Sequence, residues 1–256
     1  MNCYQRGFKG NSVVLFALLA VSTMAFADTV TVSIVNSQSV PIYVSFTTLN
    51  QAPGVITWNS SGNGCLNTGK GANAAYTQIN AGQTCTASVD TSSSSTRFCA
   101  ATNAAPTNCM NAQTQHLTMV ETNFEAASNP GCFNSGAACV WYDISVIPST
   151  CTDALWKQNQ CANTGGASYN LPVTLSCTNT AEPVYICQGP TNGTYGPENY
   201  PSKCGNPNAT CATGTPNCTN GVSTYFYPMF DPPENTYQPN AVCVKGSLSI
   251  NFLAGP

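Results

Sequence analysis

Charge is scarce in this chain: Lys and Arg number 7, Asp and Glu 10, and together they make up 7% of 256 residues. A nucleic-acid surface needs clustered Lys and Arg to displace phosphate counterions, so nucleic acid is not an expected partner. Histidine is scarcer still. His116 stands alone, no G-x-S-x-G elbow is present, and a Ser-His-Asp triad therefore has no support. There is no C-x-x-C spacing, which with one imidazole argues against a cysteine-based metal site. No glycine-rich turn leads from a strand into a helix, so a nucleotide would find no phosphate cradle. No cofactor is expected. Nowhere is a helical period of 3.6 sustained, and no internal segment approaches the ~20 apolar residues a membrane-spanning helix needs.

What the chain does have begins with Arg6 and Lys9, the apolar run VVLFALLA, and a small-residue site at Ala25, Phe26 and Ala27. That order predicts a signal peptide over residues 1–27, cleaved near Ala27, and hence a secreted, periplasmic or extracellular product. Of the 15 cysteines, Cys3 leaves with this segment. The others are Cys65, Cys85, Cys99, Cys109, Cys132, Cys139, Cys151, Cys161, Cys177, Cys187, Cys204, Cys211, Cys218 and Cys243. An even set in an exported chain predicts disulfides, with a pairing that spacing alone leaves open. Residues 28–256 are expected to form one domain, with a cystine-rich loop lobe at about 149–220, and to be monomeric.

The mature start, DTVTVSIVNSQSVPIYVSFTTL, alternates with period two and turns at Ser39 to Pro41, predicting two strands. The stretch from QAPGVITWNSSGNG to GKGAN reads as loop because Gly, Asn and Ser dominate it. Strands are predicted in AAYTQINAGQTCTASV, on both sides of an Ala81-Gly82 turn, and in TRFCAAT, HLTMVETNFEA, YNLPVTLSC, PVYIC, STYFYPMF and VKGSLSINFL. One short helix is predicted around Thr152 to Gln158, capped by Thr152 or Ser149. In VWYDISVI the same period puts Val140, Tyr142, Ile144 and Val146 on a core face. Trp141, Asp143, Ser145 and Ile147 fall on the other. Many short strands punctuated by turns predict an all-β sandwich or barrel.

Several pieces, in order, resemble the thaumatin-like (pathogenesis-related group 5) family. VSIVNSQSVPIYV resembles its opening strand pair, INAGQTCTASV its glycine-turn hairpin, and LTMVETNF its T-L-A-E-F-T-L strand. WYDISVI resembles Y-D-V-S-L-V, YNLPV resembles Y-N-L-P-M, STYFYPMFDPPENTY resembles the aromatic-then-Asp-Asp-Pro segment, and GSLSINFL resembles the last strand. The resemblance implies a flattened antiparallel β-sandwich with a disulfide-rich lobe and an acidic cleft linked to β-1,3-glucans. The family's bridge between first and last strands has no counterpart here, since Gln38 and Leu253 stand at those positions. Carried over residue by residue, the cleft Glu is Glu121, its first Asp is Asp143 and its last Asp is Asp231. The cleft Arg position falls near Thr114 and the second Asp position on Pro148.

The expected function is binding of carbohydrate, a β-glucan or cell-wall polysaccharide, by Glu121, Asp143 and Asp231, with Trp141 and Tyr227 stacking on sugar rings. Each residue also has a plainer reading. Asp143 could be a solvent-face acid, Glu121 a surface partner of Arg97 or Lys203, Asp231 a turn residue, and Trp141 a core cap. Two alternatives accompany the binding reading. One is a weak endo-β-1,3-glucanase with Glu121 as acid and Asp143 as base or nucleophile. The other is a secreted interaction or inhibitor protein that uses the 188–221 loop.

Overall fold

The computed structural model describes residues 28–49, 55–60, 64–93, 95–109, 117, 119–133, 135–145, 152, 154–155, 158, 160–163, 171, 173–178, 185–187, 193–195, 224–225 and 241–253. Residues 1–27, Thr114, His116, Pro148, Tyr227, Asp231, Cys151, Cys204, Cys211, Cys218 and nearly all of the 188–221 loop lie outside the described residues.

The alternating segments become strands: β1 Thr29–Asn36, β2 Ile42–Thr47, β3 Ile56–Asn59, β4 Leu66–Lys70, β5 Ala75–Ile79, β6 Thr84–Asp90, β7 Thr96–Ala101, β8 Met119–Glu125 and β9 Cys139–Ser145. They are followed by β10 Cys161–Asn163, β11 Val173–Cys177, β12 Tyr185–Cys187, β13 Gly193–Tyr195, β14 Thr224–Tyr225, β15 Ala241–Val244 and β16 Leu248–Phe252. A six-stranded sheet has the order β12-β11-β16-β1-β6-β3, and an eight-stranded sheet the order β14-β9-β8-β7-β2-β5-β4, with β15 also pairing with β9. The two form an all-β sandwich of mixed sheets. Most pairings are antiparallel, but β1 runs parallel to β16 and β14 parallel to β9.

The core lies between the sheets and is built from the faces that alternation predicts. Val30, Val32 and Ile34 of β1, Leu248, Ile250 and Phe252 of β16, and Val173 and Leu175 of β11 come from one sheet. Ile42, Val44, Phe46, Phe98, Val120, Phe124, Val140, Tyr142 and Ile144 come from the other. Phe46 and Phe98 are register partners with ring centroids 4.7 Å apart. Each such side chain, taken fully out of water, contributes about 1.5–3 kcal/mol.

Two segments depart from the sequence reading. β3 and β4 fall inside the stretch read as loop. Both are short strands next to glycine-rich connections, β3 at the edge of one sheet and β4 at the edge of the other, and β4 carries a register shift between Leu66 and Gly69. An edge strand has one partner and one half-covered face, so it tolerates the Gly and Asn that hid it. The Ala81-Gly82 turn joins β5 and β6, yet these strands belong to different sheets, as do β1 and β2. Both connections are arches over the sandwich rather than hairpins.

Buried Asn36 clamps the two arches together. Its Nδ2 donates to the carbonyls of Val40 and Ile79, each at 2.9 Å, and its Oδ1 accepts from Gln38 N at 2.9 Å. Its backbone N–H donates to Gln83 O and its carbonyl accepts from Gly82 N. Gly82 itself sits at φ 70, the left-handed region glycine enters without cost.

Four disulfides are described. Cys65–Cys85 links the start of β4 to β6, and Cys177–Cys243 links β11 to β15. Each therefore ties one sheet to the other, near opposite margins of the sandwich. Cys99–Cys109 holds a loop against the outer face of β7, and Cys132–Cys139 closes the connection between β8 and β9. Within the 149–220 span read as a loop lobe, β10 and β13 form a separate two-stranded sheet, whereas β11 and β12 extend the six-stranded sheet. Leu155 N donates to Thr152 Oγ1 at 3.3 Å and Gln158 N to Ala154 O at 3.3 Å, while part of the Thr152 to Gln158 segment read as a helix lies outside the described residues.

Gln38 and Leu253 lie in contact beside the ends of β1 and β16. The Gln38 side-chain amide donates to the Leu253 carbonyl, and Ser37 N donates to Phe252 O at 2.8 Å. Installing Gln38→Cys together with Leu253→Cys is expected to close a new disulfide and add about 2–4 kcal/mol to stability. Denaturant midpoints and a thiol count by mass spectrometry check this; two free engineered thiols after oxidation would refute it.

Candidate functional site

Alternation along β7, β8 and β9 sends Phe98, Val120, Phe124, Val140, Tyr142 and Ile144 inward, which obliges Arg97, Glu121, Asn123, Trp141 and Asp143 to point out of the eight-stranded sheet. Register then decides which of them meet. Arg97 pairs with Glu121, and Glu121 with Asp143. Three charged-type residues thus stand directly opposite one another on three adjacent strands, where partners have Cβ atoms about 4.5–5.5 Å apart. On the far side of Arg97 the row continues to Thr47, whose Oγ1 accepts from Cys109 N at 3.0 Å.

Arg97 Nη2 and Glu121 Oε1 form an ion pair of 2.7 Å, with the two side chains 24% and 28% exposed. At that exposure solvent screens the pair, and its contribution to stability is about 0–1 kcal/mol. Asp143 is different. The residue as a whole keeps some exposure, yet its Oδ1 is closed off from water and has no hydrogen-bond partner. Burial first, and the neighbouring Glu121 charge second, hold the Asp143 carboxyl well above the usual carboxylate range, against the opposing pull of Arg97. The cause is visible in the register. Two carboxyls share one guanidinium, the outer one takes the ion pair, and burial disfavours charge on the enclosed one.

The rows on either side are also built. One runs through Ser45, Cys99, Met119 and Ser145. Here Cys99, Cys109, Leu117 and Met119 form a second apolar cluster outside the sandwich, and Ser45 Oγ donates to Pro106 O at 2.6 Å. The other row holds Asn123 opposite Trp141. Asn123 Oδ1 accepts from Ser95 N at 3.1 Å and its Nδ2 donates to Glu125 Oε1 at 2.9 Å. The half-buried Trp141 ring meets Phe133 with centroids 5.8 Å apart and planes tilted by 52°.

The structure thus brings Glu121 and Asp143 together and sets Trp141 beside them, while Asp231 and Tyr227 fall outside the described residues. Two neighbours went unassigned as site residues in the sequence. Arg97 appears there only as a possible surface partner of Glu121, and Phe133 lies in what reads as a connection. The one available signal for Phe133 is the close spacing of Cys132 and Cys139. Glu125 and these two cysteines bring a carboxylate oxygen and two sulfurs within 4.8 Å of one another. The sulfurs are bonded to each other, which removes them as metal ligands.

No protein-family model matches the chain, and no curated protein matches it. Among solved structures the chain is similar to the protein elicitor MoHrip2 from Magnaporthe oryzae, at 12% identity and a TM-score of 0.38, over 87% of this chain and 97% of that one.

Proposed function

We propose that this chain is an exported thaumatin-like protein that binds carbohydrate, a β-glucan or another cell-wall polysaccharide, on the outer face of its eight-stranded sheet. The observation that carries this reading is the in-register row Arg97, Glu121 and Asp143, with Trp141 alongside. Sugar hydroxyls both donate and accept. The row offers them a guanidinium donor and two carboxyl groups, while the indole supplies an apolar face for a ring. Thr114 stands where the resemblance expects the cleft arginine, but Arg97 brings a guanidinium to Glu121 from the neighbouring strand. Four disulfides fit the oxidising compartment that export implies.

One observation favours weak hydrolysis as a second reading, namely the pairing of a carboxyl on which burial disfavours charge with an ion-paired one on adjacent strands. That is the division of labour glycoside hydrolysis requires.

The test is retention of the oxidised protein on a panel of insoluble polysaccharides, beside a triple variant carrying Glu121→Gln, Asp143→Asn and Asp231→Asn. We expect wild-type retention on a glucan and at least a tenfold loss in the variant, since charge-assisted hydrogen bonds contribute about 1.5–3 kcal/mol each. Equal retention by both proteins would reject the acidic face as the binding surface. Soluble sugar released by the wild type but not by the variant would favour the hydrolytic reading. Capture of a protein partner that ignores the three acids and depends on residues 188–221 would favour the interaction alternative.

A further inference from the structure

The connection from β8 to β9 covers residues 126–138, although antiparallel neighbours need as few as two residues to turn. This one is heavily built. Pro130–Cys132 forms a single 3-10 turn, with Asn129 accepting from Gly131 N at 2.8 Å. Phe133 N donates to Pro130 O at 2.9 Å, Ser135 N to Cys132 O at 3.1 Å, and Ala127 N to Asp28 Oδ2 at 3.1 Å. Cys132–Cys139 then staples the turn to the start of β9.

All of this presents one side chain. Phe133 sits at φ 55 and ψ 34, in the left-handed region, which an aromatic L-residue adopts only when its surroundings impose it. Its ring is 63% exposed and leans on Trp141. A turn that served only to connect strands would be more stable with Gly or Asn at this position and no apolar ring in water. Strain and exposure at one residue, held by a disulfide, point to a ligand.

The neighbours indicate its chemistry. Trp141 precedes Asp143 by two residues on the same face, an advance of about 6.8 Å along the strand and comparable to one pyranose unit. Arg97 and Glu121 neutralise each other and burial disfavours charge on the Asp143 carboxyl, so the row beside the aromatic pair carries little net charge. An uncharged sugar polymer fits that surface better than an ionic one.

We infer that Phe133 and Trp141 form an aromatic subsite for one hexose ring of a neutral polysaccharide whose adjoining sugar occupies the Arg97, Glu121 and Asp143 row. The inference rests on the carbohydrate reading and makes binding depend on chain length. The probe is glucose followed by a series of β-1,3-linked gluco-oligosaccharides from disaccharide to hexasaccharide, titrated calorimetrically. Phe133→Gly keeps the left-handed backbone and removes the ring, and Phe133→Trp keeps a ring.

For wild type, affinity rises with length. Phe133→Gly should lose roughly three- to tenfold on the disaccharide and every longer chain with glucose itself unchanged, while Phe133→Trp stays near wild type. Wild-type affinities for Phe133→Gly at every length would overturn the subsite and leave the acid row standing. Length dependence lost in Phe133→Gly but intact in the triple acid variant would support the subsite while rejecting the acid row. Binding of no oligosaccharide by wild type would reject both.

Discussion

Replacing Cys177 and Cys243 together with alanine is expected to cost about 4 kcal/mol, the chain-entropy value for a closed loop with their sequence separation of 66. The same change at Cys65 and Cys85, separation 20, should cost about 3 kcal/mol. The reason is topological as well as entropic. These two bridges cross between sheets near opposite margins, so each keeps the layers together where strand pairing ends. All four sulfurs are buried in the core, so their removal also leaves unfilled volume among Cβ atoms and adjoining side chains. Guanidinium unfolding of the oxidised double variants measures the loss. Cys132→Ala with Cys139→Ala is the control, since its separation of 7 ties a turn within one sheet and removes less freedom from the unfolded chain. If the control lost as much as the inter-sheet pairs, the two crossing bridges would not hold the layers.

Asp143→Asn is expected to stabilise the protein at neutral pH and to leave it unchanged in acid. The Asp143 carboxyl titrates above its ordinary range in the folded state, so the folded protein binds its proton more tightly than the unfolded chain does. The stability linked to that proton is complete below the unfolded value, near the ordinary 3.8 of an aspartate, and is lost as pH rises through the raised folded value. Across that window the wild type should lose up to ~1.4 kcal/mol per pH unit relative to the variant, the slope for one proton. Denaturant midpoints of both proteins over a pH series read this directly. Glu121→Gln should narrow the window, because it removes the second cause of the shift while burial remains. Parallel wild-type and Asp143→Asn curves would mean that Asp143 ionises in the folded protein as it does in water.

Much of the sandwich is legible in the sequence because its strands carry two faces. In β1, β2, β5, β6, β8 and β9 alternation alone divides core from exterior, and Val140, Tyr142 and Ile144 point inward as the period requires. Alternation does not say which sheet a strand joins. A strand, a turn and a strand read alike whether the turn is a hairpin or an arch, and the Ala81-Gly82 segment is an arch. Nor does it find edge strands such as Ile56–Asn59, where little is buried on either face. The candidate site follows the same division. Period two puts Glu121 and Asp143 on outward faces, but their direct opposition depends on the long connection through Phe133, and a slip of one residue would separate them. Arg97 joins them only through the pairing of β7 with β8, a long-range contact that local pattern does not encode.

The parallel pairing of β1 with β16 governs when the fold can form. Val32 of the first strand meets Leu248 of the sixteenth, and β16 lies between β1 and β11. Until β16 has been made, β1, β6 and β3 on one side and β11 and β12 on the other have no common partner, and the six-stranded sheet exists only as two halves. Closing so long a loop is entropically costly and slow. The half-sheets meanwhile expose unpaired strand edges and the apolar faces of Val30, Val32 and Ile34, a surface prone to aggregation. Completion of the six-stranded sheet therefore awaits β16, and a chain held unfolded up to that point loses nothing by the delay.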